Sequence, residues 1–235
     1  MKSKKKIRSL ILIPARGGSK RLPRKNLLDL NGKPLIAWTI EQAIESGIGD
    51  MIIVSSDDPE ILEIASCYSN SNVIAYQRSE PLSTDTATTM DVILDVIKTQ
   101  QSSGVIAENL VLLQPTSPLR TSEDIKFAHN LYISHKERNS VVGVCRLEHP
   151  TAWAGIIDDI GHFKSNLSKS KRSQDYVQEY RPNGAIYICC VKKILKNKSI
   201  FSKHIIPFIM PLERSIDIDE LIDFQICEYF LSIQT

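Results

Sequence analysis

Ten residues, Arg16 to Lys25, hold five cations: Arg16, Lys20, Arg21, Arg24 and Lys25. The glycine pair Gly17-Gly18 and the hydroxyl of Ser19 lie among them, and Asn26 closes the stretch. Glycine lets backbone N–H groups approach an anion closely, and guanidinium and ammonium groups donate charge-assisted hydrogen bonds to phosphate oxygens. A triphosphate carries about four negative charges near neutral pH, so this loop suits one. The loop lacks the Gly-Lys-Ser/Thr of a Walker sequence and the Gly-x-Gly-x-x-Gly of dinucleotide folds. Taken alone, it also reads as a basic surface turn. Far along the chain stands a second pattern, Asp217-x-Asp219. Two residues apart on an extended segment point to one face, so both carboxylates can converge on a hard cation such as Mg²⁺, with Mn²⁺ as a substitute. The competing reading makes Asp219 the N-cap of a final helix.

The elements that must position these groups alternate in type. Short aliphatic or β-branched runs lie at Ser9–Pro14, Asp50–Ser55, Val73–Ala75, Leu110–Leu113, Ser140–Cys145 and Gly184–Cys190. Segments with helical spacing separate them: Leu35 to Ile44, Ile61 to Ala65, Met90 to Ile97 and Ile125 to Leu131. Continuous apolar strands alternating with helices imply a parallel sheet covered on both faces, hence a doubly wound α/β fold in which the loop after the first strand lies at the ligand-binding end. A last helix, Leu221 to Ile233, is expected to pack on the main core. Between Arg146 and Tyr180 the pattern weakens, as a flexible active-site loop or an excursion toward another subunit would do. The 235 residues are read as one domain.

Bulk properties exclude several classes. A net charge of +2 supplies no global field for nucleic acid, and Lys4-Lys5-Lys6 is read as a solvated tail. No apolar run approaches the roughly 20 residues of a membrane span, and the one after the N-terminal lysines ends at Arg16, too short for a signal sequence, so a cytoplasmic protein is expected. Five cysteines lack metal-ligand spacing and read as free, mostly buried thiols.

Six blocks then point to a family. Ile13-Pro14-Ala15-Arg16-Gly17-Gly18-Ser19-Lys20 with Leu22-Pro23 and Lys25-Asn26 resembles the signature of the sugar-acid cytidylyltransferases. Ser55-Ser56-Asp57, Leu82 to Ala87, and Leu113-Gln114-Pro115-Thr116-Ser117-Pro118-Leu119-Arg120 continue it. Arg181-Pro182-Asn183-Gly184-Ala185-Ile186-Tyr187 and Ser215-Ile216-Asp217-Ile218-Asp219 complete it, in the family's order. Together they resemble CMP-N-acylneuraminate synthetases and their relatives acting on legionaminic acid.

The resemblance implies a nucleotide-diphospho-sugar transferase-like fold and roles for particular residues. CTP would be bound by Arg16, Gly17, Ser19, Lys20, Lys25 and Asn26, with Arg78, Thr84, Asp85 and Thr86 at the cytidine. The acidic nine-carbon sugar would meet Gln114, Arg172, Arg181, Asn183 and Tyr187, with Phe201 near its substituents. Arg172 lies in a loop one residue longer than the family's. Gln114 could instead cap a strand, and Tyr187 could be core. Mg²⁺ would sit on Asp217 and Asp219; Arg16 and Lys20 would act with them in catalysis, and Asp219 is the candidate general base. Relatives send the excursion corresponding to residues 146–180 into a partner, so a homodimer is expected. The first loop disfavours a ketodeoxyoctonate acceptor, and the Arg-Pro-Asn-Gly block disfavours pseudaminate. A metal-dependent glycosyltransferase would place its Asp-x-Asp after the central strands rather than at the far end, and a non-catalytic nucleotide-binding domain would not need both carboxylates and all three key cations.

Overall fold

The computed structural model describes residues 4–84, 86–136, 139–165 and 172–233. Its elements in chain order are β1 (Lys5–Pro14), β2 (Asp29–Leu30), β3 (Lys33–Pro34), α1 (Leu35–Ser46), β4 (Met51–Ser56), α2 (Pro59–Ser66) and β5 (Val73–Gln77). Then come α3 (Thr89–Ser102), β6 (Val105–Leu112), α4 (Ser122–Ser134), β7 (Ser140–Arg146), β8 (Gly155–Ile157) and β9 (Phe163–Ser165). The chain closes through β10 (Tyr180–Cys190), α5 (Val191–Asn197), β11 (Ile205–Ile209) and α6 (Leu221–Ser232).

Among the described residues one large sheet has the order β11-β7-β10-β6-β1-β4-β5. β1 pairs in parallel with β4 and β6, β4 with β5, and β7 with β11, whereas β10 enters antiparallel between β6 and β7. The sheet is thus mostly parallel with helices on both faces, as the alternating pattern predicts. Side-chain alternation along β1 feeds two cores: Ile11 and Ile13 join Ile36, Ile40, Ile61 and Ile125 on one face, while Leu10 and Leu12 join Ile93, Val96 and Ile194 on the other. Capping boxes start α3 (Thr88 with Asp91) and α4 (Thr121 with Asp124), satisfying N–H groups that the first helical turn leaves unbonded.

Two expectations are corrected, for the N-terminal lysines and the last helix, and two elements appear that the apolar pattern did not announce, β11 and α5. Lys5 and Lys6 are not a tail: their backbones form the first rungs of β1 against Val105 and Ile106, and only their side chains are solvated. The run Ile205–Phe208 is a strand, β11, which Pro207 disguises; it lies at the sheet edge, where a missing N–H costs least. The short helix α5 carries too few apolar repeats to show as periodicity. α6 packs not on either main core but on a third cluster, where Phe224, Cys227 and Leu231 meet Leu30, Leu35, Leu119 and Ile218. Its outer face leaves Leu221, Ile222, Tyr229 and Ile233 exposed. Cys145, Cys189 and Cys227 are buried free thiols as expected, whereas Cys67 is exposed.

Candidate active site

The strand order reverses between β1 and β6, and a cavity of about 560 Å³ opens beyond the carboxyl ends of these strands. Arg16, Ser19, Lys20, Arg21, Lys25 and Asn26 reach it from the loop after β1, Gln114 and Thr116 from the segment after β6, Arg78 from the end of β5, and Asp217 and Asp219 from the segment before α6. The cationic loop and the carboxylate pair, some 200 positions apart, therefore face one space.

Internal contacts shape the loop. The Asn26 amide donates to the Arg16 carbonyl at 2.9 Å, so this buried residue holds the two ends of the loop together. Gly17 does not offer its N–H to the cavity: it donates to Asp57 Oδ1 at 3.0 Å. The residue must be glycine because a Cβ there would lie 2.8 Å from the Asp58 side chain. Arg78 is anchored by Nε to Ser55 Oγ at 3.0 Å and by a terminal nitrogen to the Ser55 carbonyl at 2.8 Å. Burial pushes its guanidinium pKa down, Asp57 pulls it back, and Arg16 adds like-charge repulsion. An anion would relieve that repulsion.

The carboxylate pair has the alternation expected of it. Ile218 turns into the third core cluster and is fully buried, while Asp217 and Asp219 face the cavity. Lys25 Nζ donates to the Ile218 carbonyl and lies 3.4 Å from Asp219 Oδ1; Arg21 donates to Asp219 Oδ2 at 2.8 Å. These contacts tie the far end of the chain to the first loop. The helix cap is Glu220, reciprocated by Asp223, so Asp219 is not spent on capping. Burial raises the Asp217 pKa, Thr116 lowers it, Asp219 raises it further, and Lys25 and Arg181 oppose that rise. One of its oxygens, Oδ1, is buried without a hydrogen-bond partner.

The remaining expected contacts divide. Gln114 lines the cavity, and its Oε1 lies 2.6 Å from where a Cβ on Gly184 would stand; Gly184 also has φ +79°, so only glycine fits without strain. Tyr187 and Phe201 meet edge to face at 6.0 Å, but Tyr187 is nearly buried and neither lines the cavity. Asn183 is turned inward: its amide donates to Ser215 Oγ at 2.9 Å and its oxygen accepts from Ala185 N–H at 3.1 Å. It braces the segment leading to Asp217 instead of facing a ligand. Arg172 pairs with Asp175 at 3.1 Å, and Arg181 is exposed at the rim, near enough to Asp217 to act on it. Thr84 and Thr86 bond to each other at 3.0 Å outside the cavity, and Asp85 lies outside the described residues. The wall there is built by Ala87, Thr88, Thr89 and Val92 instead, because the chain has turned into α3 by that point. The Thr88–Asp91 capping box in the sequence was the available signal for that turn.

The sequence model of a family described as Cytidylyltransferase matches residues 10–154. The chain belongs to this cytidylyltransferase family. The matched span carries the cationic loop, Arg78 and Gln114, and stops short of the carboxylate pair. Full-length similarity extends further. The chain is 39% identical over 234 residues to the CMP-N,N'-diacetyllegionaminic acid synthase of Legionella pneumophila, covering 97% of both chains. It is 34% identical over 235 residues to the pseudaminic acid cytidylyltransferase of Campylobacter jejuni, again covering 97% of each. A CMP:2-keto-3-deoxy-manno-octonic acid synthetase solved with CTP superposes with a TM-score of 0.72 at 18% identity, covering 97% of this chain and all of the other, which places the two in one fold. In this chain a polycationic loop faces two carboxylates across the switch-point crevice. No helix among the described residues is long and apolar enough to cross a membrane.

Proposed function

We propose that this cytidylyltransferase transfers CMP from CTP to the anomeric hydroxyl of a nonulosonic acid and releases pyrophosphate. The observation that carries the reading is the convergence of Arg16, Lys20, Lys25 and Arg78 with Asp217 and Asp219 on one cavity. The acceptor oxygen attacks the α-phosphorus; an O–P bond forms, the bond from the α-phosphorus to the bridging oxygen of the β-phosphate breaks, and the hydroxyl proton passes to Asp219, directly or through water. Arg16 and Lys20 hold the phosphates and offset charge on the leaving pyrophosphate, and positioning in the crevice contributes the rest.

Asp217 and Asp219 fit a Mg²⁺ ion, which Mn²⁺ could replace. A buried carboxylate oxygen without a donor suits a hard cation, and two carboxylates leave coordination positions for water and phosphate oxygens, as Mg²⁺ prefers. When bound, the metal would neutralise phosphate charge.

The acceptor is assigned to the sialic-like acids, with N-acetylneuraminate turned over measurably and N,N'-diacetyllegionaminate better. The Legionella relative supports the second sugar. The relative named for pseudaminic acid, similar over its whole length, puts that sugar among those to be tested. Sugar contacts would come from Gln114, which lines the cavity, and Arg181. A pyrophosphate-release assay with CTP and a panel of these acids, with the CMP-sugars identified by mass spectrometry, tests this. Robust product from ketodeoxyoctonate and none from the nonulosonic acids would overturn it.

A further inference from the structure

Arg120 is fully buried, yet its terminal nitrogens donate to neutral oxygens and not to a carboxylate. One terminal nitrogen donates to the Ala185 carbonyl at 2.8 Å and, more loosely, to the Gln114 carbonyl at 3.3 Å. The other donates to Thr39 Oγ1 at 2.9 Å and Gln42 Oε1 at 3.0 Å on α1. Gln42 in turn donates to the Pro118 carbonyl at 2.6 Å, closing a ring of contacts. Asp124, the nearest acid to influence it, is held by Arg214 through two bonds of 2.9 Å. Burial lowers the Arg120 guanidinium to about 9, which leaves it charged at neutral pH. A buried charge without a counter-ion costs stability that an apolar side chain of similar size would not. What the charge supplies in return is geometry: a rigid fork that joins α1, the segment after β6 and the irregular part of β10.

One of the joined points, Gln114, lines the cavity, and another lies directly behind it. Gln114 carries the side chain that reaches over Gly184, and Ala185 is the next residue along. The wall assigned to CTP comes from other elements, the loop after β1, the end of β5 and the start of α3. We propose that Arg120 is the positioning residue of the sugar-acid side, holding Gln114 against Gly184 and so governing affinity for the acidic acceptor rather than for CTP. The inference rests on the function proposed above and on Gln114 as an acceptor contact.

Steady-state kinetics of Arg120→Lys, Gln114→Ala and the double variant test it. Lysine keeps the charge but has one nitrogen, which cannot span three elements. Arg120→Lys should raise KM for the sugar acid at least about 10-fold and leave KM for CTP within about twofold. In the Gln114→Ala background the same change should add less than about twofold, since both act through one contact. Thr39→Val, which removes a single anchor, should show the same split at about two- to threefold and carries the test if Arg120→Lys does not fold. Equal increases in both KM values, or effects that multiply in the double variant, would overturn the proposal. Absence of product from the unaltered chain with every sugar acid would remove the functional reading, and this inference with it.

Discussion

Asp217, proposed above as a metal ligand, carries a cost to folding. Burial of its carboxylate, with one oxygen lacking a hydrogen-bond partner, costs about 1–3 kcal/mol, which Thr116, Lys25 and Arg181 offset only in part. Asp217→Asn should therefore leave the metal-free melting temperature unchanged or higher, while turnover falls at least about 10²-fold. Asp219→Asn should lose activity to a similar degree with the fold intact. Near-normal rates in both variants without added Mg²⁺ would refute the metal assignment. Gly184 shows the reverse economy, in which a missing side chain makes room. Alanine there would be forced into the left-handed region, at a cost of about 1–2 kcal/mol, and would press on Gln114. Gly184→Ala should lower the melting temperature and raise KM for the acid more than KM for CTP, and a variant with unchanged acceptor kinetics would show that this approach is not part of the site.

At the level of elements, β1 separates two clusters of cations by its own length. Lys5 and Lys6 stand at its amino end, and the loop from Arg16 follows its carboxyl end. Ten strand residues span roughly 33 Å, several Debye lengths at physiological salt. Arg16→Ala should therefore impair CTP turnover strongly, and Lys5→Ala should leave it near the parent value. High salt should not restore the Arg16 variant, because a lost contact is not a screened one. Equal kinetics for Arg16→Ala and the parent would sink the loop assignment. The antiparallel β10 has a comparable role: its irregular pairing between Pro182 and Tyr187 brings Asn183 and Gly184 beneath the carboxylate segment.

For the whole molecule, the hairpin of β8 and β9 stands apart from the main sheet and exposes Ile156, Ile157 and Phe163, with Val177 nearby in sequence also exposed. Apolar side chains on a two-stranded arm are costly in water unless covered, which supports the expected homodimer. A twofold interface would cover both arms at once. Light scattering at micromolar concentration should give twice the mass of the chain, 26.4 kDa, and a fully active monomer would refute the dimer.

Much of this protein was legible in its amino-acid order. The order of apolar runs and helical repeats specified a doubly wound α/β sheet, because burial on both faces demands continuous apolar strands. Local composition identified the cationic loop, and the two-residue spacing of Asp217 and Asp219 correctly put both carboxylates on one face. These are short-range properties, set by neighbours along the chain. Tertiary structure decided the rest. Pro207 concealed an edge strand whose pairing only β7 reveals. Asn183 and Gly17, read as ligand contacts, are consumed by Ser215 and Asp57, partners 32 and 40 residues away that no local pattern announces. Arg120, in sequence only the last residue of the block that begins at Leu113, is a buried junction of three elements. A side chain's type says what it can bond to, but folding chooses which of the many available partners lies within about 3 Å.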